Sequence, residues 1–74
     1  MNIKVRLFAT LRENRGRELI ISLPQGSKPV DIIEKLNISK SEIAILLING
    51  RDGEFTVELV EGDTVSIFPP VGGG

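Results

Sequence analysis

A chain of 74 residues with neither cysteine nor histidine must hold its fold through one small apolar core. Disulfide staples, a Cys nucleophile, a His base and nearly every structural zinc site are excluded. A chain this short buries only about 60% of its unfolded surface, so each core position counts. The hydrophobic content of 41% supports such a core, and the length sets a single domain.

Composition narrows the function classes as well. With no Trp, no Tyr and three Phe, there is little for nucleic-acid bases to stack on. The net charge of −1 argues against a general polyanion partner. No apolar run is long enough to cross a membrane, and no charged start leads into an apolar stretch. The expectation is a cytoplasmic protein with no nucleic-acid or membrane partner. The charge is unevenly spread. Residues 1–17 carry five bases against Glu13, a net of +4, and residues 18–74 carry four bases against nine acids, a net of −5. Arg12 to Arg17 read as a solvated loop, with docking of an acidic partner as the functional alternative.

Ile3 to Ala9 alternate apolar and polar, which predicts a half-buried strand with Ile3, Val5, Leu7 and Ala9 inward. Phe8 falls on the polar face. Glu18–Leu23 reads as a second strand with Leu19, Ile21 and Leu23 inward, so the two form an antiparallel hairpin. Pro24-Gln25-Gly26 is a turn. Ser27 is positioned to cap a helix running to about Leu36, with Pro29 in its first turn. Val30, Ile33 and Leu36, with Ile32 beside them, make an apolar stripe at helical spacing, and Asn37 is a stop signal. Ser39 to Glu42 reads as one helical turn and Ala44–Ile48 as a buried strand, followed by the hairpin signal Asn49-Gly50. Phe55–Leu59 reads as a short or irregular edge strand. After the turn Glu61-Gly62-Asp63, Thr64–Phe68 is the last strand, with Val65 and Ile67 inward and Ser66 and Phe68 outward. Glu54, Glu58, Glu61 and Asp63 read as a solvated face, and the chain shows no metal or catalytic constellation.

The order is β-β-α-β-β-β, an α+β architecture with a mixed sheet and one main helix across one face. Pro69 and Pro70 cannot donate to a ladder, so they end the last strand and favour an extended exit. Residues 1–68 then form the domain, and 69–74 form a flexible tail, Pro-Pro-Val-Gly-Gly-Gly. Three glycines leave nothing to pack, which singles out the Gly74 carboxylate as the working group. The plain alternative is an uninvolved frayed end.

The start Val5-Arg6-Leu7-Phe8-Ala9-Thr10-Leu11-Arg12-Glu13, the turns Asn49-Gly50 and Glu61-Gly62-Asp63, and Phe68-Pro69-Pro70-Val71 before Gly73-Gly74 together resemble the ubiquitin-like β-grasp sulfur carriers. Among these the chain is most similar to the small-subunit family of molybdopterin synthase. The resemblance runs from about Ile3 to Gly74. One departure is Gly72, where the molybdopterin-type tail usually has another small residue. A Val-Gly-Gly-Gly end is also similar to tails of thiamine-pathway carriers, which usually lack the long first strand and the Pro-Pro pair.

The resemblance implies that a partner enzyme adenylates Gly74 with ATP and that a sulfur donor turns it into a thiocarboxylate. The tail would then enter the large subunit of molybdopterin synthase to serve a pterin precursor. Gly73 and Gly74 would carry the chemistry, while Phe8, Phe68, Pro69, Pro70, Val71 and Gly72 would meet partners. The chain would bind no cofactor or metal and would be a carrier subunit, not an enzyme. Phe8 and Phe68, outward on neighbouring strands, form a docking patch unless a loop covers them. Three other readings stay open: a thiamine or other thio-metabolite carrier, a protein modifier joined to lysines, and a β-grasp interaction module with an inert tail.

Overall fold

The computed structural model describes residues 1–70. The expectations that fall on Val71, Gly72, Gly73 and Gly74 lie outside the described residues. Five strands and one α-helix follow in order: β1 (Asn2–Leu7), β2 (Glu18–Ser22), α1 (Pro29–Lys35), β3 (Ile45–Ile48), β4 (Arg51–Asp52) and β5 (Thr64–Phe68), with 3-10 turns at Ala9–Arg12 and Lys40–Glu42. The sheet order is β2-β1-β5-β3-β4. The outer pairs are antiparallel hairpins, and the central β1–β5 pair is parallel, with Val5 opposite Val65 and Leu7 opposite Ile67. This is the mixed, one-helix α+β sheet expected from the order of elements.

Alternation decides which face is covered. In β1, Ile3, Val5 and Leu7 are buried while Asn2, Lys4 and Arg6 are exposed. Val65 and Ile67 from β5 and Leu46 from β3 join them on the inner face, and Ile32, Ile33, Ile38 and Leu59 close over it. The outer face carries Arg6, Ile20, Ile45, Leu47, Ser66 and Phe68.

The helix is short, and its ends are held by specific hydrogen bonds. Lys28, not Ser27, is the N-cap residue, and its N–H donates to Asp31 Oδ2 at 2.8 Å. Ser27 fails as the cap because its backbone is engaged elsewhere: its N–H donates to Pro24 O, and its carbonyl accepts from Leu59 N–H. At the other end Asn37 has φ 58°, Asn37 N–H reaches Glu34 O, and Ile38 N–H reaches Ile33 O. These two bonds make a Schellman motif, so the stop at Asn37 holds. Ile32 and Ile33 are the buried pair of the stripe, whereas Val30 and Leu36 are half-buried. A helix of seven residues turns two adjacent side chains into the core and leaves its first and last apolar positions at the rim.

Other expectations are corrected. Ala9 is not in the first strand; it is exposed, has φ 53° and opens the 3-10 turn. Phe55–Leu59 is irregular and forms no edge of the sheet, and the fourth strand is Arg51–Asp52. Asn49 and Gly50, both at positive φ, make a two-residue hairpin that pairs Ile48 with Arg51 at once. Gly53 then leaves the strand where a Cβ would come within 2.7 Å of Ile48. The backbone of 55–59 bonds to the helix entry instead of a sheet edge: Val30 N–H donates to Phe55 O, and Leu59 N–H donates to Ser27 O. The third strand is covered on one face only, so Ile45 stays 48% exposed.

Two polar residues are more enclosed than alternation alone indicates. Ser66 lies on the outer face yet is 8% exposed, because β5 is central and Arg6 and Leu47 flank it in register. Asp63 is 9% exposed and is no part of a solvated acidic face. Its Oδ1 accepts from Asn49 Nδ2, and its Oδ2 accepts from Val60 N–H, both at 2.9 Å. Asn49 Oδ1 accepts from Thr64 N–H in turn. This buckle ties the β3–β4 turn to the start of β5.

The Lys40–Glu42 turn makes a pH prediction. The Ser39 N–H donates to Glu42 Oε1 at 3.0 Å, and that backbone bond, followed by the Ser39 hydroxyl, holds the Glu42 carboxyl below the ordinary glutamate value. A lowered folded pKa means that the stabilisation is present at neutral pH and is lost as pH falls through the Glu42 pKa. A carboxyl NMR titration should show Glu42 with the lowered midpoint. Ser39→Pro, which removes the N–H at a φ of −81° that proline accepts, should move it back up.

Candidate functional site

The site forms where β1 and β5 end side by side. Parallel pairing carries both strands in one direction, so the residue after Leu7 and the residue after Ile67 emerge together. Those residues are Phe8 and Phe68. Their rings stack with centroids 4.1 Å apart and planes 10° from parallel. The aromatic pair expected from the sequence is therefore formed, and both rings are half-buried among the described residues.

Two nearly parallel rings at this distance are in contact across their faces. Two cations flank the pair. The Arg6 and Arg12 guanidinium carbons lie 5.7 and 5.3 Å from the Phe8 ring centroid. Arg12 is oriented by its Nε–H, which donates to Leu7 O at 2.8 Å. The positive φ of Ala9 turns the chain back so that Arg12 returns to the strand end it has just left.

The Arg12 to Arg17 segment is thus not a uniformly solvated loop. Arg15 is half-buried and donates from Nε to Leu36 O and from Nη1 to Leu11 O, at 3.1 and 3.2 Å. It satisfies a carbonyl left over at the helix C-terminus, where a cation is also favoured by the helix dipole. Arg17 and Glu18 complete a cleft with Arg6, Leu7, Phe8 and Arg12. The sequence signal for this cluster was the charge imbalance of residues 1–17; the orientation of Arg6 and Arg12 on Phe8 had no local signal.

Phe68 O accepts from Ala44 N–H at 2.8 Å, the last bond of β5 to the β3 side. Pro69 is half-buried and Pro70 exposed. Neither offers an N–H, so the ladder stops here and the chain leaves the sheet beside the aromatic pair. Among the described residues, no cluster of His, Cys, Asp and Glu is placed to hold a metal ion, and no helix is long and apolar enough to cross a membrane.

The sequence profile of the ThiS family matches residues 5–74. The chain belongs to the ThiS family. It is thus of the sulfur-carrier, ubiquitin-like kind, and the β-grasp fold described above is the one its structural relatives share. A candidate molybdopterin converting factor subunit 1 from Pyrococcus furiosus is 30% identical, with 96% of this chain and 99% of that one covered and a TM-score of 0.77. Small archaeal modifier protein 1 of Haloferax volcanii has a TM-score of 0.82 at 21% identity, with both chains covered completely. A chain in the complex of subunits 1 and 2 of molybdopterin-converting factor from Helicobacter pylori has a TM-score of 0.67 at 20% identity, again over the whole of both chains. The latter two show the fold alone. No curated protein matches the chain by sequence.

Proposed function

We propose that this ThiS-family protein is the sulfur-carrier small subunit of a molybdopterin synthase, acting in the cytoplasm. Its Gly74 carboxylate would be the group that carries sulfur. The observation that carries this reading is the 30% identity, over nearly all of both chains, to the Pyrococcus furiosus candidate subunit. The Phe8–Phe68 pair at the strand end supports it by giving partners a patch beside the exit of the tail.

The chemistry asks little of the carrier itself. A carboxylate is a poor acyl donor, because oxide or hydroxide would have to leave. Transfer of AMP from ATP onto the Gly74 carboxylate, with release of pyrophosphate, supplies a good leaving group. A sulfur nucleophile then attacks the carbonyl and AMP departs, leaving a thiocarboxylate. ATP and the catalytic side chains belong to the adenylating partner, and the chain itself binds no cofactor. Glycines at 73 and 74 leave the carbonyl open to attack from both sides. Pro69 and Pro70 reduce the entropy lost when residues 69–74 are threaded, and Val71 is the last side chain able to anchor them. The second partner is the large synthase subunit, since the Pyrococcus furiosus relative is named as subunit 1 of a molybdopterin converting factor.

The test is the intact mass after incubation with an adenylating enzyme, ATP and a sulfide source. One sulfur in place of one oxygen is the expected gain, and an unchanged mass with a demonstrably active enzyme overturns the reading. A likeness to small archaeal modifier protein 1 of Methanosarcina acetivorans, 28% identical over 99% of this chain with a TM-score of 0.72, favours one alternative, conjugation of Gly74 to lysines. Isopeptide ladders in pulldowns of the carrier would reveal it.

Docking by the aromatic pair gives a second expectation. Phe68→Ala should weaken binding to the adenylating partner by more than about tenfold, as a central aromatic anchor does. The fold should lose only about 1 kcal/mol, since the ring is already half-exposed. Undiminished affinity at unchanged stability would remove Phe68 from the interface.

A further inference from the structure

The geometry points to a carboxylate-reading site: the cleft of about 240 Å³ lined by Arg6, Leu7, Phe8, Arg12, Arg17 and Glu18 takes an acidic segment of the adenylating partner, and Glu18 occupies it until that segment arrives. This deepens the carrier reading, on which it rests for the identity of the partner.

Three arginines line the cleft, and among the described residues Glu18 is the one acid there. Charge is therefore in excess at this spot, in a chain whose net charge is −1. The Glu18 carboxylate meets Arg6 Nε at only 3.9 Å, and both side chains are about half exposed. An ion pair so long and so wet contributes little and exchanges readily. It shows where a stronger acceptor would sit. Arg12 is held by its bond to Leu7 O and lies over Phe8, so its guanidinium is oriented before any ligand binds. A planar, fixed guanidinium suits a carboxylate that approaches in its plane. The Phe8 ring gives that segment an apolar contact next to the charge.

The occupant follows from complementarity. An acidic partner segment neutralises Arg6, Arg12 and Arg17 together. Residues 19–74, with four bases against eight acids and a net of −4, repel it from wrong docking poses. The basic cleft steers the encounter, and the adjoining Phe8–Phe68 pair holds it.

The test titrates the isotope-labelled full chain with a hexaglutamate peptide at low ionic strength, read by NMR at the arginine Nε–Hε groups and the backbone amides. Shifts should cluster at Arg6, Phe8, Arg12, Arg17 and Glu18 and vanish in high salt. Arg17→Gln should weaken the peptide about two- to fivefold, and Glu18→Gln should tighten it by a similar factor. Neither substitution removes a buried contact, so the fold survives both. Shifts elsewhere on the surface, or affinities unmoved by both variants, would overturn the proposal. So would an oligouridylate of equal charge that binds as well as the peptide. The readout does not involve Gly74. Failure here alongside a positive mass assay rejects the acidic segment and keeps the carrier; the converse rejects the carrier and keeps the cleft.

Discussion

Removing Gly73 and Gly74 should abolish sulfur loading completely while leaving the thermal midpoint where it is. Two separate facts combine in that expectation. Among the described residues the buried apolar core runs from Ile3 to Ile67, so truncation by two residues is expected to leave it intact. On the proposed reading, in contrast, the acyl group to be activated is the Gly74 carboxylate. After truncation the new terminal carboxylate belongs to Gly72, which is two residues nearer the sheet. An extended chain advances roughly 3.3 Å per residue, so the group falls short by about 7 Å. A displacement of even 1 Å can cost about a hundredfold in a positioned reaction. Loading should therefore become undetectable. A truncated chain that retained full biological function would point to an interaction module with an inert tail. A large drop in melting temperature would mean that residues beyond Pro70 contribute to the fold.

The second large effect is on stability. Asp63→Ala should cost about 1–3 kcal/mol, because the variant removes the carboxylate that satisfies two part-buried donors, Val60 N–H and Asn49 Nδ2. For a domain of this size each kcal/mol lowers the melting temperature by about 4–8 °C. A small domain is only marginally stable, so this one change removes much of its margin. Asp63→Asn is the informative companion. Its amide oxygen keeps one of the two bonds, but its NH2 group faces the other donor, so it should recover only part of the loss. The Asn49 amide cannot simply flip to help, because its oxygen already accepts from Thr64 N–H. A cycle of Asp63→Ala and Asn49→Ala, read by chemical denaturation, should show strong coupling between the two residues. Additive effects would mean that the two residues act independently and that the buckle contributes nothing as a unit.

The polar positions show where sequence reading stops. Asp63 stands in a run of acids, and in sequence it is indistinguishable from Glu61 or Glu58. It is buried because the β3–β4 hairpin returns Asn49 to the start of β5, a contact between residues 14 apart. Arg15 has the same history. It looked like one more charge in a solvated loop until the end of α1 came to rest beside it. The displaced fourth strand is similar. Phe55 to Leu59 has the composition of a strand, but the hairpin at Asn49-Gly50 had already supplied the edge, and the backbone bonds of 55–59 went to the helix entry.

What the sequence determined by itself was everything with a local cause. Alternation in β1 and β5 set which side chains face inward, because the strand period is two whatever lies above it. Asn37, Asn49-Gly50 and the Pro69-Pro70 pair set stops and turns, because they act through backbone dihedrals and missing donors. Recognition of the carrier family rested on those same signals, read in order. Tertiary structure alone decided how groups distant in the chain meet. Parallel pairing of β1 with β5 brings Phe8 to 4.1 Å from Phe68 across 60 positions, and the fold-back at Ala9 sets Arg12 beside them. Such contacts depend on the closing of the whole sheet, and no local pattern encodes a distance across it.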